Sequence, residues 1–165
     1  QTKNLLTVLT AVEQLQQSGW KITHDAVQTA LQQTKRINGL HGRWEVIAQH
    51  PTVVLDVGHN EDGVKQIVNQ LQHSTYQQLH IIIGMVKDKE IDKVLALLPK
   101  EATYYFTKAQ IPRALDETML QEKAKQYKLN GETYLNVNDA LNSAKQSASS
   151  NDLILVCGSV FLVGE

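Results

Sequence analysis

The stretch Val53-Val54-Leu55-Asp56-Val57-Gly58-His59-Asn60 constrains the fold of this chain more than any other. A short apolar run rich in β-branched residues reads as a buried strand. It breaks off into an acid, a glycine, an imidazole and an amide. Residues 62–71 then place Val64, Ile67, Val68 and Leu71 on one helical face. The succession repeats down the chain. Residues 79–83 form a second buried strand, ended by Gly84, and Ile91, Val94, Leu95 and Leu98 line a helix closed by Pro99. Residues 103–106 make a third strand. Residues 116–127 and 138–148 read as helices, with a short extended piece over 133–135 between them. Residues 153–156 are the last clear strand, ended by Gly158. Strands separated by helical patterns imply right-handed βαβ units, hence an α/β fold with a mostly parallel sheet flanked by helices.

A short helical segment precedes this region. Leu5, Val8, Leu9, Val12 and Leu15 recur at helical spacing, and Gly19 stands where a helix would stop. A second helix is expected after Thr23 as N-cap, with Ala26, Val27, Ala30 and Leu31 on its inner face. Residues 35–42 have no periodicity and hold two glycines, which reads as a linker. The chain opens Gln1-Thr2-Lys3-Asn4, without a methionine and directly into a helical pattern, and stops at Val163-Gly164-Glu165 just past an apolar run. A piece of a longer protein is the expectation.

Bulk properties narrow the function. The 165 residues carry a net charge of −1, with 42% hydrophobic and 20% charged residues, as in an ordinary globular protein. No basic stripe speaks for nucleic acid, and no apolar run approaches the roughly 20 residues of a membrane span. The lone Cys157 excludes an internal disulfide and fits a reducing compartment, so a cytoplasmic location is expected.

Three strand ends carry polar clusters: residues 56–60, then Gly84-Met85-Val86-Lys87-Asp88-Lys89, then Gly158-Ser159, with Gly42-Arg43 just before the first strand. In a parallel sheet these ends share one edge, where open α/β sheets bind ligands. Arg43, Lys87 and Lys89 offer positive charge to carboxylate or phosphate, arginine as a fork and lysine as a point charge. Asp56 could accept hydrogen bonds from a ribose diol. Each group also has a plainer reading. Asp56 could cap a turn, Asn60 the following helix, and Ser159 a turn of its own. His59 could be a solvated loop histidine, Arg43 a surface residue, and the Lys87-Asp88-Lys89 run a solvated face. Other chemistries lack their residues: no glycine-rich phosphate loop with lysine, no HExxH or cysteine-rich zinc spacing, and no GxSxG elbow. Cys157 reads as a core thiol.

Gly42-Arg43-Trp44-Glu45-Val46, Leu55-Asp56-Val57-Gly58-His59-Asn60, residues 84–89 and residues 158–165, in this order and spacing, resemble the folylpolyglutamate synthase/dihydrofolate synthase family of the Mur ligase superfamily. The family usually has Asp-Gly-Ala-His-Asn where this chain has Asp-Val-Gly-His-Asn; the acid, histidine and asparagine are kept. Gln1-Thr2-Lys3-Asn4 also resembles the end of the His-Gln-x-x-Asn motif that closes the family's central ATPase domain. The resemblance thus implies a helical tail of that domain plus linker over residues 1–41 and a Rossmann-like carboxyl-terminal ligase domain over residues 42–165.

It also implies an ATP-dependent ligation of L-glutamate to a folate carboxylate through an acyl phosphate, with dihydrofolate synthesis as a further activity. The implied partners are ATP, L-glutamate and a reduced folate or folylpolyglutamate, with Mg²⁺ held by segments upstream of this chain, and the implied protein is a monomer. By the same resemblance Arg43 reaches the ATP phosphates, Asp56 holds the ribose with His59 beside the nucleotide, and Asn4 contacts the adenine. Lys89 and Ser159 bind the incoming glutamate, with Lys87 able to exchange roles with Lys89. Arg43 and His59 form the catalytic pair, and this domain closes over the site while being inactive alone. The rivals are a Mur-type ligase of cell-wall precursors, a non-catalytic nucleotide- or amino-acid-binding module, and a small metal-dependent hydrolase using Asp56 and His59, which lacks any further ligand cluster.

Overall fold

The computed structural model describes residues 2–87 and 90–165. The chain divides into two compact units, Gln1–Leu40 and His41–Glu165. The first holds helices α1 (Thr2–Gln17), α2 (His24–Gln32) and α3 (Thr34–Asn38). Thr23 caps α2 as expected, accepting from the Ala26 N–H. The expected linker begins later than the sequence suggests: Thr34–Asn38 turns once more as α3 and ends at Gly39 in the left-handed region. Neither α2 nor α3 has a buried residue. The apolar face expected inside α2 is therefore not an inner face here, and Leu5, Leu6, Val8, Leu9 and Leu15 of α1 are likewise exposed.

The second unit is the expected α/β layer structure. Its elements are β1 (Glu45–Ala48), β2 (Thr52–Asp56), α4 (Glu61–Gln72), β3 (Leu79–Ile83), α5 (Ile91–Leu97), β4 (Thr103–Phe106), α6 (Glu117–Lys125), β5 (Gly131–Thr133), α7 (Val137–Ser147), β6 (Leu153–Cys157) and α8 (Val160–Val163). The six strands lie in the order β1-β2-β6-β3-β4-β5. Among the described residues, β1 is the one strand that runs antiparallel to its neighbour. Asn60, Asp116 and Asn136 cap α4, α6 and α7 through side-chain oxygens.

Strand order dictates which face each helix covers. From β2 to β3, β4 and β5 the chain steps one way across the sheet, and from β5 to β6 it returns. Right-handed crossovers then put α4, α5 and α6 on one face and α7 on the other. The cores agree. Val64, Ile67, Val94 and Leu120 pack with Ile81, Ile83 and Leu155 on one face. Val137, Ala140 and Ala144 pack with Ile82, Ile154 and Val156 on the other. The alternation of side chains along β3 and β6 feeds both cores, so every residue of these two central strands is buried. Among the described residues no helix is long and apolar enough to cross a membrane.

Candidate functional site

The neighbouring strands β2 and β6 are parallel, yet the helices that follow them diverge. Val64 of α4 lies in one core and Leu162 of α8 in the other. Adjacent strands whose exits part to opposite faces leave a crevice at their carboxyl ends, the topological switch point at which open α/β sheets bind ligands. Asp56–Asn60 and Gly158-Ser159 flank that point. The Gly158 N–H donates to the Gly58 carbonyl at 3.1 Å, and the Gly84 N–H donates to the Cys157 carbonyl at 3.4 Å, so the ends of β2, β6 and β3 are joined side by side. Gly158 adopts φ +105°, and a Cβ there would come within 2.6 Å of the Gly84 carbonyl oxygen. Glycine is required by both conformation and space.

Asp56 is half-buried, and both carboxylate oxygens are engaged. Oδ2 accepts the Trp44 N–H at 2.8 Å and Oδ1 accepts the Gly58 N–H at 2.8 Å. The second bond is an Asx turn that starts the 56–60 loop. The first ties β1 to the end of β2. Each oxygen keeps a lone pair for a further donor.

His59 is also half-buried, with its Nδ1 2.9 Å from the Val57 carbonyl oxygen. A carbonyl only accepts, so Nδ1 carries the proton, and in the neutral ring Nε2 is left as an acceptor. Asn60, which the sequence left between ligand and cap, is the cap: Oδ1 accepts the Gly63 N–H at 2.8 Å.

Arg43 is exposed, between two residues that are not. Gly42 before it is buried, donates its N–H to Glu45 Oε2 at 2.8 Å, and accepts the Val57 N–H at 2.8 Å. Trp44 after it packs against the core. Arg43 has no hydrogen-bond or ion-pair partner among the described residues, which leaves a fork donor at the strand ends.

Lys87 is exposed at the end of the β3 loop, and its N–H donates to the Arg113 carbonyl at 3.0 Å. Lys89, expected to bind glutamate, and Asp88 lie outside the described residues. Ser159 is buried, and its Oγ accepts the Phe161 N–H at 3.1 Å as the cap of α8. Asn4 lies exposed on α1 in the other unit. Cys157 is fully buried, and desolvation pushes its thiol up to about 12, so it is a core residue and no nucleophile.

Sequence reasoning missed several polar groups at this edge. Arg113 places its guanidinium 4.7 Å from the Phe161 ring centroid. Lys108, just past β4, pairs with Asp116 at 3.1 Å and Glu117 at 2.7 Å. Hydrogen bonds from Thr118 and then Lys108 draw the Asp116 carboxyl down to about 2. Glu45 was also missed. It acts on a backbone N–H three residues back, which no spacing of side chains marks. Among the described residues no three His, Cys, Asp or Glu side chains gather closely enough to hold a metal ion.

Comparison with known proteins places this geometry. The family described as "Mur ligase, glutamate ligase domain" matches residues 42–160. The probable bifunctional folylpolyglutamate synthase/dihydropteroate synthase of Haloferax volcanii is 37% identical over 127 residues, 75% of this chain and 15% of that protein. The structure of E. coli FolC in complex with DHPP and ADP superposes with a TM-score of 0.77 at 27% identity, covering 93% of this chain and 36% of FolC. A bifunctional folylpolyglutamate synthase/dihydrofolate synthase with Mn, AMPPNP and L-glutamate bound gives a TM-score of 0.78 at 28% identity, again over 93% of this chain and 36% of its own. The chain thus spans only a minor part of the proteins it matches. With a glutamate ligase domain matched from the Arg43 loop through the β6 loop, on the sheet topology that builds this crevice, the chain belongs to the Mur ligase family.

Proposed function

We propose that this chain is the closing domain of an ATP-dependent ligase that adds L-glutamate to a folate carboxylate. In that reaction a carboxylate oxygen takes the γ-phosphoryl group of ATP, giving an acyl phosphate and ADP. The glutamate amine then attacks the acyl carbon, the C–N bond forms, the C–O bond breaks, and phosphate and a proton leave. Phosphorylation turns a poor leaving group into a good one, and cations stabilise the charge that builds on the transferred group.

The observation that carries this reading is the crevice between β2 and β6, with Arg43, unpaired among the described residues, at its edge and the His59 imidazole beside it. Arg43 supplies the fork for phosphate, and Asp56 has lone pairs left for a ribose hydroxyl. Ser159 and a lysine of the β3 loop, Lys89 or Lys87, take the glutamate. Asn4 contacts adenine from the helical unit, which is the tail of the central ATPase domain. The exposed apolar side chains of α1 support that last assignment, because they call for cover that this unit does not itself supply. A divalent metal enters only through relatives whose structures hold Mn; its chemistry is Lewis-acid stabilisation of the phosphates, and no residue of this chain is assigned to it.

The test is ADP release by the intact ligase with L-glutamate and either a folate or a muramyl acceptor. Turnover is expected with the folate. Turnover with the muramyl substrate alone would make this a cell-wall ligase. The purified 165-residue chain is expected to release no ADP from ATP under the same conditions; substantial release would place the phosphate-transfer machinery within it.

A further inference from the structure

The Arg43 loop is braced from both sides, and one of its braces has no part in the reading above. On the amino side, Glu45 Oε2 accepts the Gly42 N–H at 2.8 Å, and its carboxylate also meets His41 Nδ1 at 3.0 and 3.1 Å. Its side chain is 8% exposed, whereas that of His41 is 67% exposed. The carboxylate is therefore held inward against the backbone of its own loop. On the carboxyl side, Asp56 Oδ2 accepts the Trp44 N–H at 2.8 Å. Gly42 and Trp44 both take positive φ, 75° and 46°. That conformation is unfavourable for tryptophan and persists only where its surroundings hold it. A Cβ on Gly42 would stand 2.6 Å from Val57 Cγ1, so the backbone also sits tightly against the β2 exit. Arg43 is the one exposed residue between two fixed neighbours.

We propose that Glu45 is a positioning residue that acts through Arg43: by holding the Gly42 N–H while Asp56 holds the Trp44 N–H, it fixes the loop that presents the guanidinium to the nucleotide phosphates. This rests on the reading of Arg43 as a phosphate-binding group. The chemistry favours such a brace. A fork donor delivers its bidentate geometry only if its backbone is fixed, and displacement by about 1 Å can cost a hundredfold in rate. Two carboxylates gripping the N–H groups on either side fix the backbone without touching the guanidinium, which stays free for its ligand.

The test is a double-mutant cycle on kcat and KM for ATP in the intact ligase, using Arg43→Ala, Glu45→Ala, Glu45→Gln and the Arg43→Ala/Glu45→Ala pair. Glu45→Gln keeps a carbonyl acceptor for Gly42 and is expected to stay within about threefold of the parent, while Glu45→Ala loses about tenfold or more in kcat. In the Arg43→Ala background, Glu45→Ala is expected to cost less than about twofold further, because the group it positions is gone. A loss for Glu45→Ala that is equal in both backgrounds, or no loss in either, overturns the inference while leaving the Arg43 reading intact. Full turnover by Arg43→Ala overturns that underlying reading instead. Amide exchange settles the case in which Glu45→Ala folds poorly. In Glu45→Gln the Gly42 and Trp44 amides are expected to remain protected, and free exchange at both, with turnover retained, also overturns the brace.

Discussion

At the scale of single residues, Asp56 shows how one side chain can serve structure and a ligand at once. Its two oxygens accept the N–H groups of Trp44 and Gly58, so the β1 start and the 56–60 loop are both hung from it. Asp56→Ala leaves two partly buried N–H groups without acceptors, at a cost of about 1–3 kcal/mol. Urea unfolding of this chain is expected to show that loss, with a smaller one for Asp56→Asn, which retains a single acceptor. An unchanged unfolding midpoint for Asp56→Ala would mean that the two bonds contribute nothing and that the acid is kept for its ligand alone. Gly158 is the counterpart at the end of β6. With φ at +105° and the Gly84 carbonyl oxygen 2.6 Å from any added Cβ, Gly158→Ala is expected to cost about 1–3 kcal/mol in the same assay. The residue types of the crevice were legible in the sequence, because an acid, an imidazole and a serine after buried strands mark the ligand edge. What holds them was not legible. The Asp56 and Glu45 bonds run to backbone N–H groups, which every non-proline residue carries, so no spacing of side chains announces them.

At the scale of elements, the amino edge of the sheet has its own polar anchor. Asp152 precedes β6 and is buried; Oδ1 accepts the Gln78 N–H at 2.9 Å and Oδ2 accepts the Ser149 N–H at 2.6 Å. It thereby ties the start of β6 to the start of β3, with the His80 ring 3.7 Å away. The Ser149 N–H, then the Gln78 N–H and His80, hold the carboxyl below its ordinary value of 3.8 against the opposing effect of burial. A carboxyl depressed in the folded state stabilises that state above the unfolded pKa and loses this contribution as pH falls through the folded one. The stability of the chain is therefore expected to fall as pH drops below about 4, and Asp152→Asn is expected to flatten that fall. Parallel stability–pH curves for parent and variant would exclude the anchor as the cause. Element existence was read well wherever burial imposed a period, as in β3 and α4. It was missed where burial was slight. β1 is a four-residue edge strand with Val46 and Ile47 exposed. α3 is five polar-rich residues without an apolar face. The extended piece expected over 133–135 pairs instead as Gly131–Thr133, since β5 is an edge strand of three residues with weak register. α8 is a single turn whose only sequence sign was the Gly158-Ser159 pair.

At the scale of the whole molecule, the two units differ in how they are held. His41–Glu165 has a core on each face of its sheet, and the strands β3 and β6 are buried along their whole length. Gln1–Leu40 has no buried residue among those whose burial is described. Its α2 and α3 bury no residue, and α1 exposes Leu5, Leu6, Val8, Leu9 and Leu15. Helices of such length are marginal in water without tertiary packing. Amide exchange follows local opening, so the two units should separate by rate. In this chain the amides of α1–α3 are expected to exchange with little protection, while those of β3 and β6 exchange only through global unfolding. In the longer ligase proposed above, the reading of α1 as the tail of a larger domain gives a different outcome, because its apolar face then acquires cover and its amides slow by orders of magnitude, whereas β6 changes little. Equal protection of α1 and β6 in the chain alone would show that the helical unit needs no such cover, and the assignment of these residues to a neighbouring domain would fall with it.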